Sequence, residues 1–501
     1  MDADASRPGI LSQPQRLFID GSYQSSSDDA EFPVANPMTG DVLYRCSSAT
    51  VADVSRAIES AHAAYEAWSQ TGPSARRALF LKAADILEGY LQGDAPEILR
   101  SEVSATESWV QVNIAASAGI LRETAGLVTH IKGEIVPADR PGTTVLVARE
   151  PVGVVFAISP WNAPVNLTAR AVACPLVCGN TVVLKPSEHS PKSQHLVVQA
   201  LTEAGLPAGC LQFVPCSPER APEVTEFAVK HAKVRRVNFT GSERVGTIIA
   251  GWAASCLKKC VLELGGKAPV VVCEDADIDD AVESIVFGGL ANSGQICMST
   301  ERVLVHKSVM HEFRSKLLAR VARLKCGNHL VEKDVSISGL ITPASATRVL
   351  GLVRSAVNTG ATLLAGDLQA GGPNQTVLRP HILEGVTRGM ALYHQESFGP
   401  VLVLIEFGTD EEAVALANDS DFSLCASVFS RDITKALDLS RKIRAGSCHI
   451  NGPTVYIEAT LPNGGVGGSS GYGRFGGMAG VEEFTERKII SLARPGMKYA
   501  F

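Results

Sequence analysis

The chain lacks paired cysteines: its twelve are scattered through 501 residues and none forms a CxxC. That excludes a disulfide framework and the usual zinc spacings, so no metal site is expected and a reducing cytoplasmic setting is. It also lacks a basic excess. With 46 Lys and Arg against 52 Asp and Glu, the net charge is -6, which argues against a nucleic-acid partner. No apolar run is long enough for a bilayer, which takes about 18 residues. The stretch from 151 to 184, whose one charge is Arg170, is broken by Pro160, Asn162, Pro164, Asn166, Pro175, Gly179 and Asn180. The start MDADASRPGILSQPQ has neither a basic segment nor an apolar core, and the tail KYAF carries no peroxisomal tripeptide. Neither secretion, organelle import nor membrane association is therefore expected. No repeat of solenoid length and no low-complexity linker is present.

What is present is a composition of 45% apolar and 20% charged residues, typical of a globular chain with a large interior. Its length calls for more than one core. Strand-like and helical patterns alternate, as in a mostly parallel sheet covered by helices. After an FIDG turn near Ile19 and an NPMTG turn at 36–40, Thr50 and Asp53 make a helix start. Val54, Ile58, Ala61, Tyr65 and Trp68 follow at spacings that share one face, which should be core. VGVVFAI, TVVLK, LQFVP and VRRVNFT read as strands separated by crossover-length segments, the layout of a nucleotide-binding unit. A second unit begins after ELGGK with VVVC. The glycine-rich stretch NGGVGGSSGYGRFGG at 463–477 is a loop.

Chemistry is concentrated at a few positions. NSGQICMSTER at 292–302 places Cys297 after a Gly-Gln turn, and VLELGGK upstream ends an apolar run at Glu263. A thiol is a soft nucleophile for a carbonyl carbon, and a carboxylate can activate water. Each has a blander alternative: a small core residue for Cys297, a structural ion pair with Lys267 for Glu263. An ordinary thiol is only a few per cent thiolate at pH 7, so a catalytic one needs a base, a helix N-terminus or a nearby positive charge. Asn162, within Pro-Trp-Asn-Ala-Pro, is either a turn former or an oxyanion donor. KPSE at 185–188 follows a buried strand, where ligands gather in open parallel sheets. A carboxylate at Glu188 suits ribose hydroxyls and repels a 2′-phosphate, which favours NAD, with NADP the alternative. FTGSERVG at 239–246 is a strand-to-helix junction that does not match GxGxxG, a weak signal alone.

Together, PWN, KPSE, GSERVG, ELGGK, the GQIC segment and QESFGP stand in the order found in aldehyde dehydrogenases, and the chain resembles that superfamily from about residue 17 to 495. The resemblance implies an α/β fold with a Rossmann-like NAD-binding domain (1–129 and 152–262), an α/β catalytic domain (263–481) and a small β oligomerisation arm (130–151 and 482–501). The tail strand would pair across a subunit interface, and a homodimer or homotetramer is expected. It also implies that Cys297 is the nucleophile, Glu263 the general base, and Asn162 with the Cys297 N–H the oxyanion hole. Cofactor contacts would come from Ile158, Ser159, Pro160, Trp161, Lys185, Ser187, Glu188, Gly241, Ser242, Val245, Leu264, Gly265, Glu396 and Phe398. Glu396 would take the nicotinamide ribose and Phe398 would lie against that ring. Gln395 departs from the acidic residue usual in that motif, and Ser423 with Leu424 stands where many members have Tyr-Gly.

Within the family, the segment around 149–176 resembles the salicylaldehyde, benzaldehyde and vanillin dehydrogenases, so an aromatic aldehyde is the expected substrate. Polyketide-derived aldehydes of fungal secondary metabolism are a related class. Ala163 leaves room for a ring, Trp109 and Tyr456 are candidate walls, and Arg170 either meets a substrate oxygen or forms an ion pair. Aliphatic aldehydes or semialdehydes are the alternative substrates. Two other classes share parts of this pattern: a silent binding protein, and a cysteine esterase whose activity would ignore NAD.

Overall fold

The structure, a computed structural model, describes residues 10–497. The first nine residues of the N-terminal segment and the KYAF tail lie outside them. Strands such as Val154–Ile158 and Thr181–Lys185 are buried at every position, so both of their faces must be covered by helices. The result is an eight-stranded sheet in the order Ser22–Gln24, Leu17–Ile19, Leu211–Phe213, Thr181–Lys185, Val154–Ile158, Val234–Thr240, Lys259–Glu263, Gly471–Tyr472. The central five strands are parallel. From Val154–Ile158 the chain steps outward twice in one direction and then returns to fill the other side with Val234–Thr240 and Lys259–Glu263. That reversal is a topological switch point, and the crevice beyond the carboxyl ends of the flanking strands is where such sheets hold ligands.

The helix Val51–Ser69 starts as its sequence dictates. Thr50 Oγ1 accepts from the Asp53 N–H at 3.2 Å and the Asp53 carboxylate accepts from the Thr50 N–H at 2.9 Å, a reciprocal capping box. Its buried face carries Val54, Ile58, Ala61 and Trp68. Tyr65 is partly buried and donates to the Pro151 carbonyl at 3.1 Å. The helix Pro164–Val177 has Pro175 within its last turns. Proline has no N–H, so the Ala171 carbonyl loses its helical partner, and Asn238 of the neighbouring strand supplies one at 2.9 Å. Asn166 and Arg170 of this helix line the cavity described below.

A second, seven-stranded sheet runs Thr362–Ala365, His381–Glu384, Val401–Phe407, Thr300–His306, Ala268–Val272, Cys425–Phe429, Ser447–Ile450. Only its first pair is antiparallel. The residues between Glu263 and Ala268 join the two sheets. One boundary differs from expectation. Gly471–Tyr472, placed with the catalytic domain from sequence, pairs with Leu262 and Glu263 on the first sheet. The following helix Gly477–Glu483 packs on helices Glu107–Leu127 and Pro164–Val177. The loop folds back because its glycines adopt positive φ, as at Gly471, where a Cβ would lie 2.2 Å from the Leu262 carbonyl oxygen.

Glu134–Val136, Thr143–Pro151 and Thr485–Ala493 form a separate antiparallel sheet. The tail strand, expected to pair across an interface, pairs in register along Thr143–Pro151 of its own chain, and among the described residues no strand lies along its other edge. Among the described residues no helix is long and apolar enough to cross a membrane.

Candidate active site

Cys297 is delivered by a strained turn. Asn292, Ser293 and Gly294 take positive φ in succession, at 49°, 57° and 76°. For the two non-glycine residues this costs about 1–3 kcal/mol each, so neighbouring bonds must hold it. Asn292 donates its side-chain amide to the Asn162 carbonyl at 3.0 Å, and Ser293 Oγ donates to the Ser338 carbonyl at 2.9 Å. Gln295 Oε1 accepts from the Ile341 N–H at 2.9 Å. The turn sets Cys297 above the end of strand Lys259–Glu263, where its thiol donates to Glu263 Oε1 at 3.4 Å.

Glu263 is 1% exposed and does not pair with Lys267. Its second oxygen, Oε2, takes the Arg170 guanidinium at 2.6 Å and the Asn463 amide at 3.1 Å. Arg170 lies over the Phe475 ring at 4.5 Å and donates to Thr240 Oγ1 at 3.2 Å. Burial, and then the Glu263 charge, push the Cys297 thiol well above its ordinary range. The resting nucleophile is therefore a neutral thiol facing a carboxylate, and Arg170 is the neighbouring cation that opposes the shift.

Asn162 donates its amide to the Gln295 carbonyl at 2.9 Å, which fixes the side chain beside Cys297 and leaves one amide hydrogen. Among the described residues the Cys297 N–H meets no acceptor. Two donors thus stand near the sulfur with capacity for an oxyanion. The Asn162 carbonyl also accepts from Trp109 Nε1 at 2.9 Å, which locks that ring at the cavity wall.

The cavity over Cys297 has a volume of about 1790 Å³. Its lining includes Trp109, Val112, Ala163, Leu167, Ile296, Met298, Val455 and Phe475, with Asn166, Arg170 and Asn463 among its polar groups and Arg100, Arg122, Arg320 and Lys333 among its other cations. Tyr456 is corrected. It is half exposed, hydrogen-bonds Glu458, sets its ring edge against His449, and does not line the cavity, because the turn after Pro453 presents Val455 inward instead.

On the other side of Cys297 lies the crevice. Lys185 ends its strand with its ammonium donating to the adjacent Pro186 carbonyl at 3.2 Å. Burial works against the charge on Glu188, but Lys185 and His189 outweigh it and its carboxyl sits below the usual value. Ser187 N–H donates to Gln194 Oε1 at 2.7 Å and Gln194 donates to the Ser159 carbonyl at 3.1 Å, tying the two strand ends together. Ser242 caps the helix Glu243–Ser255 by accepting from the Val245 N–H, which leaves that helix's N-terminus facing the crevice beside Gly241. Ile158, Ser159, Ser187 and Leu264 are buried beneath the floor, Leu264 against Gly246. Pro160 and Trp161 form the rim, with Trp161 edge-on to Phe398 at 5.8 Å.

Glu396 accepts from the Gly266 N–H at 2.8 Å and lies so near Gly265 that a Cβ there would meet its oxygen at 2.8 Å. Burial and the Glu301 charge push its carboxyl up to about 8. Glu301, absent from the expected set, forms a buried ion pair with Lys267 and accepts from the Ser397 and Phe398 N–H groups at 2.8 and 3.2 Å. Asn463, Gln295, Phe475 and Met298 were also not foreseen. Asn463 was visible only as the start of a glycine-rich loop, and nothing in its local pattern announces the 200-residue reach to Glu263.

A thiol, a facing carboxylate, two open oxyanion donors and a crevice at a switch point fit one class of catalyst. Residues 23–490 match the aldehyde dehydrogenase family, and the chain belongs to it. It is an oxidoreductase acting on aldehydes with NAD(P). Among its relatives are a salicylaldehyde dehydrogenase of Pseudomonas putida, 43% identical over 97% of this chain and 99% of that one, and a vanillin dehydrogenase of Pseudomonas fluorescens, 43% identical over 95% and 97%. The crystal structure of a salicylaldehyde dehydrogenase from Pseudomonas putida G7 complexed with salicylaldehyde superposes with a TM-score of 0.94 at 42% identity. It covers 97% of this chain and all of that one.

Proposed function

We propose that the enzyme oxidises an aromatic aldehyde to the carboxylic acid with NAD. The observation that carries the substrate class is the cavity over Cys297, walled by apolar side chains and by a Trp109 ring fixed to the oxyanion residue. A flat ring gains most from such walls. Relatives named for salicylaldehyde and vanillin, at 43% identity, support it.

Glu263 takes the thiol proton through Oε1 as Cys297 attacks the carbonyl carbon, and Asn162 with the Cys297 N–H holds the resulting alkoxide. The dinucleotide, when bound, supplies the acceptor for the hydride that leaves as this adduct becomes a thioester. Once that proton has passed to solvent, Glu263 takes a proton from the water that attacks the thioester carbonyl and returns it to the departing Cys297 sulfur, which releases the acid. Lys185 and Glu188 would hold the adenosine ribose, Ser242 and its helix the pyrophosphate, and Glu396 the second ribose. The fit is chemical: Glu188 is held charged and partly exposed. A charged Glu188 favours NAD over NADP.

The open edge of Thr485–Ala493 carries exposed Ile489 and Leu492, and the second sheet ends in the half-buried edge strand Ser447–Ile450. We infer a homodimer in which such edges are covered. Twelve free cysteines support a reducing compartment.

The test is NADH absorbance with NAD or NADP and salicylaldehyde, benzaldehyde, vanillin, hexanal and succinic semialdehyde, with Cys297→Ala beside the wild type. Reduction favouring the aromatic compounds and lost in the variant is expected; preference for hexanal or the semialdehyde would overturn the substrate class.

A further inference from the structure

The two oxygens of Glu263 are not equivalent. Oε2 is held by Arg170 at 2.6 Å and Asn463 at 3.1 Å, while among the described residues Oε1 has only the Cys297 thiol, at 3.4 Å. Arg170 is itself immobilised on three sides: it stacks on Phe475, donates to Thr240 and pairs with the carboxylate. We propose that Arg170, acting with Asn463, is the positioning residue of the general base, pinning Oε2 so that Oε1 alone serves the thiol first and the hydrolytic water second. This rests on the mechanism proposed above and adds to it a role for a side chain that sequence suggested as a substrate contact or an ion pair.

The Arg170 guanidinium and the Glu263 carboxyl have side-chain exposures of 11% and 1% and lie in direct contact. The charged and titratable groups that act on Glu263 directly are Arg170 on its helix, Cys297 on its turn, and Cys425 of the second sheet. Of these only Arg170 is a cation. The same contact restrains rotation of the carboxylate, since turning Oε1 away from the sulfur would break a bond already made at Oε2. Two jobs in one cycle require the base to return to the same place after acylation, and a fixed second oxygen accomplishes this without a moving part.

The experiment uses Arg170→Gln, Arg170→Lys and Asn463→Leu in the full-length enzyme, followed by stopped-flow and steady-state NADH formation with benzaldehyde, which has no ring oxygen for Arg170 to meet. Arg170→Gln should lower both the first-turnover rate of NADH formation and the steady-state kcat by about tenfold or more with KM for benzaldehyde unchanged, because one oxygen serves the thiol and the water. Arg170→Lys should bring both rates part of the way back, and Asn463→Leu should lower them less. A raised KM with both rates unchanged would make Arg170 a substrate contact and overturn the proposal. So would rates that lysine does not rescue. If Arg170→Gln is too unstable to assay, its double variant with Glu263→Gln should recover stability, since no unpaired charge then remains; failure to recover counts against the pairing. Failure of the aldehyde mechanism itself is distinguishable, because the wild type would then form no NADH with any aldehyde.

Discussion

Two buried ion pairs lie close along the chain and do opposite things. Lys267–Glu301 is complete: the carboxylate takes the ammonium and two backbone N–H groups of the 396–398 loop. Arg170–Glu263 is incomplete: one oxygen is saturated and the other meets only a thiol, a weak donor. A finished hydrogen-bond inventory marks a scaffold, and an unfinished one marks a reacting group. Residue type does not separate them, since both are a cation and a glutamate at under about a tenth exposure or close to it.

The contrast can be broken most sharply at the unfinished pair. Glu263→Gln should lower steady-state acid formation by about 10²–10⁴-fold and slow the first turnover of NADH as well, since the same carboxylate takes the thiol proton, measured by stopped-flow absorbance. A variant with normal turnover would remove Glu263 from the chemistry. Next in size is the finished pair. Lys267→Met strands the buried Glu301 charge and should cost about 3–5 kcal/mol of stability by urea unfolding, with kcat on the folded fraction nearly unchanged. Loss of turnover at full stability would instead make this pair catalytic.

The smallest effect concerns Glu396, whose carboxyl is raised to about 8 from 4.5. Its charged form, the better acceptor for ribose hydroxyls, grows as pH rises through that value, so KM for NAD should fall between pH 7 and 9. The sign for stability is reversed. A folded-state value above the unfolded one gives a contribution that is full below the ordinary carboxyl range and is lost as pH rises toward about 8. A KM for NAD flat across that range would show that this carboxyl is already ionised or makes no contact with the cofactor.

Local chemistry was legible in the chain, and long-range pairing was not. Thr50 and Asp53 are three residues apart and announce a helix start on their own. Cys297, Glu263 and Asn162 stand in short motifs whose residue types already fit the reaction. Arg170, Asn463 and Glu301 act through partners 34 to 200 residues away, and no periodicity encodes such a meeting. The sequence therefore left Arg170 between a substrate contact and an ion pair, and paired Glu263 with the nearby Lys267 as its bland alternative. Proximity along the chain was the misleading cue, because the strand end and the turn after it point those two side chains apart. Tyr456 failed for a related reason: in a non-repeating loop, adjacent residues face different ways and composition does not say which one looks inward.

The link between the sheets has one more consequence. Only Leu264, Gly265, Gly266 and Lys267 carry the chain from the base to the second sheet, and a Cβ at Gly266 would lie 2.0 Å from the Cys297 carbonyl oxygen. Base, link and nucleophile are thus packed together at one crossing between the sheets, and a side chain as small as alanine at Gly266 would push on the backbone that carries the sulfur.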